Sequence, residues 1–399
     1  MVFKGSGKRG VRAKSILVFS LVSILVTGCG KDKEKSSDNV RTTATLATVE
    51  KTEITTEITT EATTEVTTEA TSETTTEVTT EATTETTTEA TTEATTEEGP
   101  RFSDSLQIVV EDNKASTSFY SLDTIIHITI YGPEAEKLVR DTADLIDKMD
   151  AIMSPFRDDS EISVYNKDQD NSKLSSDLIL LLERGAEISK YTNNYFSMVL
   201  LDGSDDKTIH LDDIYKGYIA DKITEFLGDK SENEMTGAVI GLGGDALCIG
   251  TKPGEKPWMV GIQDPKGESD DTIAVLSVDG NWVIDSTSII VATKGIYGER
   301  TWDNDVNDDH GVTDPKTGKL AESDIVSASI IADDCTMADA MGAAIVLMGY
   351  DEAVKYWRDH SEEFEMVLAD KDNVVYVTEG MKDNITSEFQ IQVIYKEEQ

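Results

Sequence analysis

The sequence predicts an α+β fold for one large domain of mixed strands and helices, residues 101–399. Alternating apolar and polar residues at 124–131 are typical of a half-buried strand. Apolar residues recurring every three or four positions at 134–153 are typical of an amphipathic helix. Strands and helices do not alternate regularly, as they would in a parallel α/β sheet. We therefore expect an α+β domain.

The individual elements follow from the same patterns in chain order. Helices are expected at 134–153, 177–191, 219–227, 337–348 and 351–359. Strands are expected at 124–131, 238–242, 258–263 and 325–332, with hairpins pairing 273–278 with 281–284 and 364–369 with 374–378. Gly132-Pro133 ends the first strand, and Pro155 follows the first helix. Ser175 or Ser176 is suited to cap the second helix.

The N-terminus has the composition of an export signal. Five basic residues precede residue 15, and the run 16–26 is apolar but too short to span a bilayer as a mature helix. The run ends in Leu25-Val26-Thr27-Gly28-Cys29, which resembles the lipobox of bacterial lipoproteins. Residues 1–28 are therefore expected to be a lipoprotein signal peptide. Lipidation of Cys29 would anchor the chain at the extracytoplasmic face of the cell membrane, and the alternative is a plain signal peptide.

Residues 29–100 are expected to be a disordered stalk. Within 53–97 a Glu stands at every fourth position in Thr-rich units, with no apolar face to bury. Like charges four residues apart and β-branched Thr both disfavour a helix. An extended tether of this length would span on the order of 45–50 Å.

The charge of the predicted domain restricts its partners. Residues 101–399 hold 26 basic and 60 acidic residues, a net charge of −34. Such a surface argues against nucleic acid as a partner, and an anionic cofactor would need a local cation. Cys248 and Cys335 lack metal-type or disulfide spacing and are expected to be inert core thiols.

Four short segments carry the candidate chemistry. Lys216-Gly217 precedes a predicted helix, and Gly243-Gly244-Asp245 follows an apolar strand. Residues 314–318, Asp-Pro-Lys-Thr-Gly, form a turn that could present backbone N–H groups to phosphate. Asp339 lies among Ala, Met and Gly on a helix fit for burial, so its carboxylate must be paired, hydrogen-bonded or metal-bound. Taken singly, the first three segments are also compatible with a solvated lysine and ordinary turns.

In their order and spacing these segments resemble the ApbE family of bacterial flavin transferases, the FAD:protein FMN transferases. The matching stretches are 156–163, Lys216-Gly217-Tyr218, Leu242-Gly243-Gly244-Asp245, 258–265, 314–318 and Ala338-Asp339-Ala340. The resemblance covers about 118–380, nearly the whole predicted domain.

The resemblance implies a Mg²⁺-dependent enzyme that transfers the FMN half of FAD to a Thr or Ser hydroxyl of an exported flavoprotein and releases AMP. It implies that Asp339 and the backbone carbonyl of Tyr215 hold the Mg²⁺. His310, one place before the position of the family's His, is the candidate base if the turn differs by one residue, with a surface histidine as the alternative. The residues implied to bind FAD are Leu122, Lys216, Gly217, Gly243, Gly244 and Asp264.

Five departures from the family pattern surround this site. Asp212-Asp213-Ile214-Tyr215 replaces Gly-Gly-Ile-Ala, and Ala343 replaces a hydroxyl ligand four residues after Asp339. Lys294-Gly295 stands where Ser-Gly is expected, Gly311 stands where the family has His, and the segment 196–211 is short. These changes leave three alternatives open: a non-catalytic flavin-binding lipoprotein, a Mg²⁺-dependent FAD pyrophosphatase giving FMN and AMP, and a stalked adhesin.

Overall fold

The computed structural model describes residues 100–397 except 232, 255, 268–270, 279–287 and 297–310. The predictions for the signal peptide, Cys29, the stalk and His310 therefore lie outside the described residues. None of the helices in this part of the chain has the length and apolar character needed to cross a lipid bilayer.

A ten-stranded sheet forms the centre of the domain. The strands in chain order are β1 (Val109–Glu111), β2 (Lys114–Ser121), β3 (Thr124–Tyr131), β4 (Gly237–Leu242), β5 (Asp245–Gly250), β6 (Trp258–Gln263), β7 (Thr272–Val278), β8 (Ser288–Gly295), β9 (Thr313–Asp314), β10 (Lys319–Leu320), β11 (Ile325–Ala332), β12 (Glu365–Asp370), β13 (Val375–Thr378), β14 (Ile385–Thr386) and β15 (Ile391–Ile394). The large sheet has the order β1-β2-β3-β4-β5-β8-β11-β12-β13-β15. Its neighbouring strands are antiparallel except β13 and β15.

The two faces of this sheet are covered differently. The helices are α1 (Ala135–Met153), α2 (Glu161–Asp168), α3 (Ser176–Tyr191), α4 (Tyr215–Gly228) and α5 (Cys335–Asp359). They share one apolar core with alternate residues of the sheet, such as Ile290 and Ala292 of β8. The intervening residues Ile289 and Val291 belong to a second core with the small sheet β14-β7-β6. Because side chains alternate along a strand, helices and small sheet cover opposite faces.

Helices α4 and α5 touch at a glycine. A Cβ atom added to Gly217 would lie 2.3 Å from the carbonyl oxygen of Cys335 and 2.6 Å from the Cβ of Asp339. No larger residue fits without moving the α5 backbone. This contact brings Asp339 against the first turn of α4.

Most predicted elements are confirmed. The strands at 124–131, 258–263 and 325–332 have the same bounds in the structure. The helix predicted at 219–227 begins earlier, at Tyr215, so Lys216-Gly217 lies inside α4 rather than before it. The helices predicted at 337–348 and 351–359 form α5, interrupted at Gly349 with φ of 69°.

The predicted hairpin after β7 has no described second strand. Residues 281–284 lie outside the described part of the chain, and within the described part β7 pairs with β6 and β14. Strand β14 comes from about 110 residues further along the chain than β7, and a local pattern does not indicate such a pairing.

We expect Gly217→Ala to lower the free energy of unfolding by about 1–3 kcal/mol, because the new methyl group would overlap the α5 backbone. Gly228→Ala, in the last turn of the same helix, is the matched control because nothing lies within 4 Å of its added Cβ. It should change stability by no more than about 0.5 kcal/mol. Urea unfolding of both variants measures the difference, and equal effects would contradict the proposed contact.

Candidate active site

Asp339 is completely buried, and both of its carboxylate oxygens face charged or polar groups. Oδ2 accepts a hydrogen bond of 2.9 Å from the backbone N–H of Gly217. Oδ1 lies 2.6 Å from the Nζ of Lys294, as an ion pair without the angles of a hydrogen bond. The sequence-based expectation that this acid needs a partner is confirmed, and the partner is a lysine.

Lys294 reaches Asp339 from β8 across the face of α5. Its Nζ also donates to the carbonyl oxygen of Asp212 at 3.3 Å and lies 3.6 Å from Oδ1 of Asp213. A Cβ added to Gly342 would lie 2.8 Å from the Cγ of Lys294, so the glycine leaves room for the stem. Burial lowers the pKa of Lys294, but nearby carboxylates, Asp339 first, outweigh this effect and raise the pKa above its usual value.

Two further acids belong to this charged cluster. Asp245 is 4% exposed, and its Oδ1 accepts a 2.9 Å hydrogen bond from the N–H of Thr293. Burial, and then the charge of Asp339, raise the pKa of Asp245 to about 6. Burial likewise raises the pKa of Asp213, against the opposing ammonium of Lys294. Burial therefore disfavours the ionised forms of both carboxyl groups.

Lys216 is half-buried in the first turn of α4. Its ammonium lies 5.9 Å from the centre of the Tyr215 ring, and it has no hydrogen-bond or ion-pair partner among the residues that the structure describes. Burial lowers the pKa of Lys216, and the ammonium of Lys294 lowers it further. An unpaired, partly desolvated ammonium of this kind can receive an anionic ligand.

The turn at Leu122 is fixed from two sides. Leu122 and Asp123 both have φ of 55° and join β2 to β3 as a two-residue hairpin loop. The N–H of Leu122 donates to Oδ1 of Asp150 at 3.1 Å, and the carbonyl of Leu122 accepts from the hydroxyl of Tyr215 at 2.9 Å. Leu122 is thus buried, and the Tyr215 ring is packed inside the domain.

Gly243 and Gly244 form the exposed turn between β4 and β5. A Cβ added to Gly243, with φ of 80°, would lie 2.9 Å from Oγ1 of Thr124. One added to Gly244 would lie 3.3 Å from the carbonyl of Thr293. The turns at 122–123 and 243–244 therefore lie next to each other at the strand ends nearest Lys294.

The N–H groups of the predicted phosphate-binding turn at 314–318 are hydrogen-bonded within the turn itself. The side chain of Asp314 accepts from the N–H of Lys316 at 2.8 Å, and its carbonyl accepts from those of Thr317 and Gly318 at 3.2 and 2.8 Å. The turn packs against Leu201, whose N–H donates to Pro315. The expectation that this turn offers its N–H groups to phosphate is therefore wrong in the described structure.

Asp264 lies at the end of a strand of the small sheet, not of the large sheet. It follows β6 in the small sheet, and its Oδ1 accepts from the N–H of Lys266 at 2.8 Å. Its implied role at the cofactor stays a prediction.

Comparison with known proteins decides the family. The model for the ApbE family matches residues 122–202 and 200–368, which together make up more than half of the chain. The chain belongs to the ApbE family. The motif-based resemblance is thus confirmed, and the two matched parts overlap at 200–202, within the short segment 196–211.

The curated ApbE relatives are similar over part of their length. The FAD:protein FMN transferase of Treponema pallidum is 33% identical over 154 residues, which cover 37% of this chain and 39% of that protein. The FAD:protein FMN transferase of Klebsiella pneumoniae is 24% identical over 165 residues, 41% of this chain and 46% of that protein. The chain therefore matches less than half the length of these relatives.

Solved ApbE structures have the same fold. The ApbE protein of Thermotoga maritima aligns with a TM-score of 0.56 at 22% identity, over 70% of this chain and 99% of that one. The flavin transferase ApbE of Vibrio cholerae aligns with a TM-score of 0.54 at 16% identity, over 70% of this chain and all of that one. The predicted α+β fold is confirmed.

The residues around Asp339 do not fit the Mg²⁺ that membership of the ApbE family implies. Lys294 and Gly217 already engage the two carboxylate oxygens, and Ala343 offers no side-chain ligand atom. Within the described ranges no group of three or more His, Cys, Asp or Glu could hold a metal ion. The metal roles of Asp339 and Tyr215 stay predictions, and this arrangement does not support them.

Sequence reasoning assigns no role to Lys294, Asp213 or Asp245. Lys294 and Asp213 enter it only as departures from the ApbE pattern, and Asp245 only as part of a candidate segment. The available signal was charge balance: a lone acid in an apolar helix requires a cation, and Lys294 lies in a strand whose residues are otherwise apolar or small.

We expect Asp245→Asn to stabilise the protein at pH 7.5 but not at pH 4. Because the folded pKa of Asp245 is raised to about 6, the folded state binds more protons than the unfolded state between roughly pH 4 and 6. Stability from this group is thus lost as pH rises through that window. The gain at pH 7.5 should be on the order of 2 kcal/mol. Denaturant unfolding at both pH values measures it, and a pH-independent difference would contradict the assignment.

Proposed function

We propose that this chain binds FAD and transfers its FMN half to a Thr or Ser hydroxyl of exported flavoproteins, with release of AMP. The observation that carries the proposal is the unpaired ammonium of Lys216 beside the buried Lys294–Asp339 pair. Membership of the ApbE family and the names of its curated relatives support the choice of FAD as substrate.

The charges suit phosphoryl chemistry. In this reaction the acceptor hydroxyl oxygen forms a bond to the FMN phosphorus, and the bond from that phosphorus to the bridging oxygen breaks. AMP leaves with the bridging oxygen, and the hydroxyl proton passes to a base, for which His310 remains the candidate. Such a transfer needs positioning and neutralisation of charge more than covalent participation by the protein. Lys216 and Lys294 would supply positive charge within a strongly acidic domain.

The expected location of the domain indicates which proteins could accept FMN. Lipidation at Cys29 would hold the domain at the extracytoplasmic face, and residues 29–100 would let it reach exported proteins at high local concentration. Mg²⁺ remains the cation implied by the resemblance, and its place beside Asp339 is taken by Lys294 in the described structure.

Transfer is tested by incubating the full-length protein with FAD and an exported flavoprotein, with and without Mg²⁺. Mass spectrometry should find FMN covalently attached to a Thr or Ser of the acceptor, and chromatography should find an equal amount of AMP. A competent ApbE enzyme assayed in parallel shows that the acceptor is usable. Free FMN and AMP without acceptor would favour a pyrophosphatase, and unreacted bound FAD would favour a flavin-binding lipoprotein.

We expect Lys216→Met to weaken FAD binding by about tenfold or more, because it removes a charge-assisted contact. The same change should leave the free energy of unfolding unchanged or higher, since an unpaired, partly buried ammonium costs stability. Lys222→Met is the matched control: Lys222 lies in the same helix and pairs with Glu225 at 3.1 Å. Calorimetry with FAD and urea unfolding measure the two effects. Equal loss of affinity in both variants would contradict the role of Lys216.

A further inference from the structure

We propose that the ammonium of Lys294 takes the place of a divalent cation beside Asp339, so that this chain binds the diphosphate of FAD without a metal ion. The identity of the ligand rests on the proposed function. The occupation of the cation position by Lys294 rests on the contacts alone.

The surroundings of Lys294 Nζ are those of a cation site. Three oxygen atoms face it: Oδ1 of Asp339 at 2.6 Å, the carbonyl oxygen of Asp212 at 3.3 Å and Oδ1 of Asp213 at 3.6 Å. Carboxylate and carbonyl oxygens are also the ligands that hard divalent cations prefer. An ammonium group has three hydrogen-bond donors and no acceptor, so oxygen atoms suit it as neighbours. Here it donates to the carbonyl of Asp212 and forms ion pairs with the two carboxylates.

The Lys294 side chain is held in this position. It is only 12% exposed, and Gly342 of α5 leaves the space through which its stem passes. The Asp339 carboxylate cannot turn away readily, because Oδ2 is bound to the N–H of Gly217 and the residue is fully buried. A divalent ion at Oδ1 would meet strong repulsion from the ammonium at this short distance.

The two lysines have different roles in binding an anion. Lys294 offsets part of the negative charge that would otherwise repel a diphosphate, and Lys216 remains without an anionic partner within the described residues. An anion that enters beside the first turn of α4 would meet the ammonium of Lys216. A metal bridge between Asp339 and the phosphates is then unnecessary.

The cation site is tested with Mn²⁺ as the probe. Free Mn²⁺ is titrated with the full-length protein and followed by electron paramagnetic resonance. We expect Lys294→Ser to bind one equivalent more than wild type, and the double variant Lys294→Ser/Asp339→Asn to lose that equivalent. The double variant reports the ions held by the remaining acidic surface. An equivalent bound by wild type and lost in Asp339→Asn alone would overturn the proposal.

Ligand binding gives a second, separate readout. Calorimetry with FAD in EDTA and in Mg²⁺ should give wild-type affinities that agree within about twofold, close to experimental error. Lys294→Ser should lose about ten- to a hundredfold in EDTA and recover when Mg²⁺ is added. Lys190→Ser, an exposed lysine of α3, is the control for loss of one positive charge.

The outcomes separate the two proposals. Wild-type binding of FAD that requires Mg²⁺ overturns the role of Lys294 and leaves the transferase proposal standing. Absence of FAD binding under both conditions counts against the transferase, and the Mn²⁺ titration still decides the role of Lys294. If Lys294→Ser does not fold, the wild-type and Asp339→Asn measurements decide it alone.

Discussion

The close contact of α4 with α5 at Gly217 is the constraint on which the site depends. It places a backbone N–H within hydrogen-bond distance of the Asp339 carboxylate and fixes that carboxylate at zero exposure. A buried charge without compensation is costly, so the fold must deliver a cation to the second oxygen. Lys294 on β8 supplies this cation. Its ammonium also contacts the carbonyl oxygen of Asp212 and the carboxylate of Asp213. The close approach that Gly217 allows therefore determines where the buried carboxylate and its cation lie.

Local sequence patterns were sufficient for much of the fold. Strands with strict alternation or continuous apolar runs, such as β3 and β11, have the predicted bounds because burial of one or both faces determines them. The short edge strands β1 and β15 were missed, since β1 is exposed throughout and β15 has only four residues, which carry little pattern. The pairing of β7 with β14 was also missed, because it joins segments far apart in the sequence.

The site was predictable only in part. Asp339 was identified because a carboxylate among small apolar residues has few physical explanations. Its partner was not, since the pairing with Lys294 depends on how β8 lies across α5. The self-contained turn at Asp314 could have been recognised, because an Asp side chain readily accepts the N–H two residues later. Family resemblance indicated which positions matter, and the structure showed the contacts that several of them make, such as Asp339 with Lys294.

The bond from the Tyr215 hydroxyl to the Leu122 carbonyl joins a departure from the family pattern to the turn between β2 and β3. Leu122 and Asp123 hold a left-handed conformation that is unfavourable for residues other than glycine, Asn or Asp. A shorter side chain at position 215 would leave a buried carbonyl without its donor, at a cost of about 1–3 kcal/mol. Restoring alanine, the family's residue, at position 215 alone would therefore weaken the protein. A return of this position to the common family form would need a new donor for the Leu122 carbonyl, or it would pass through a less stable protein.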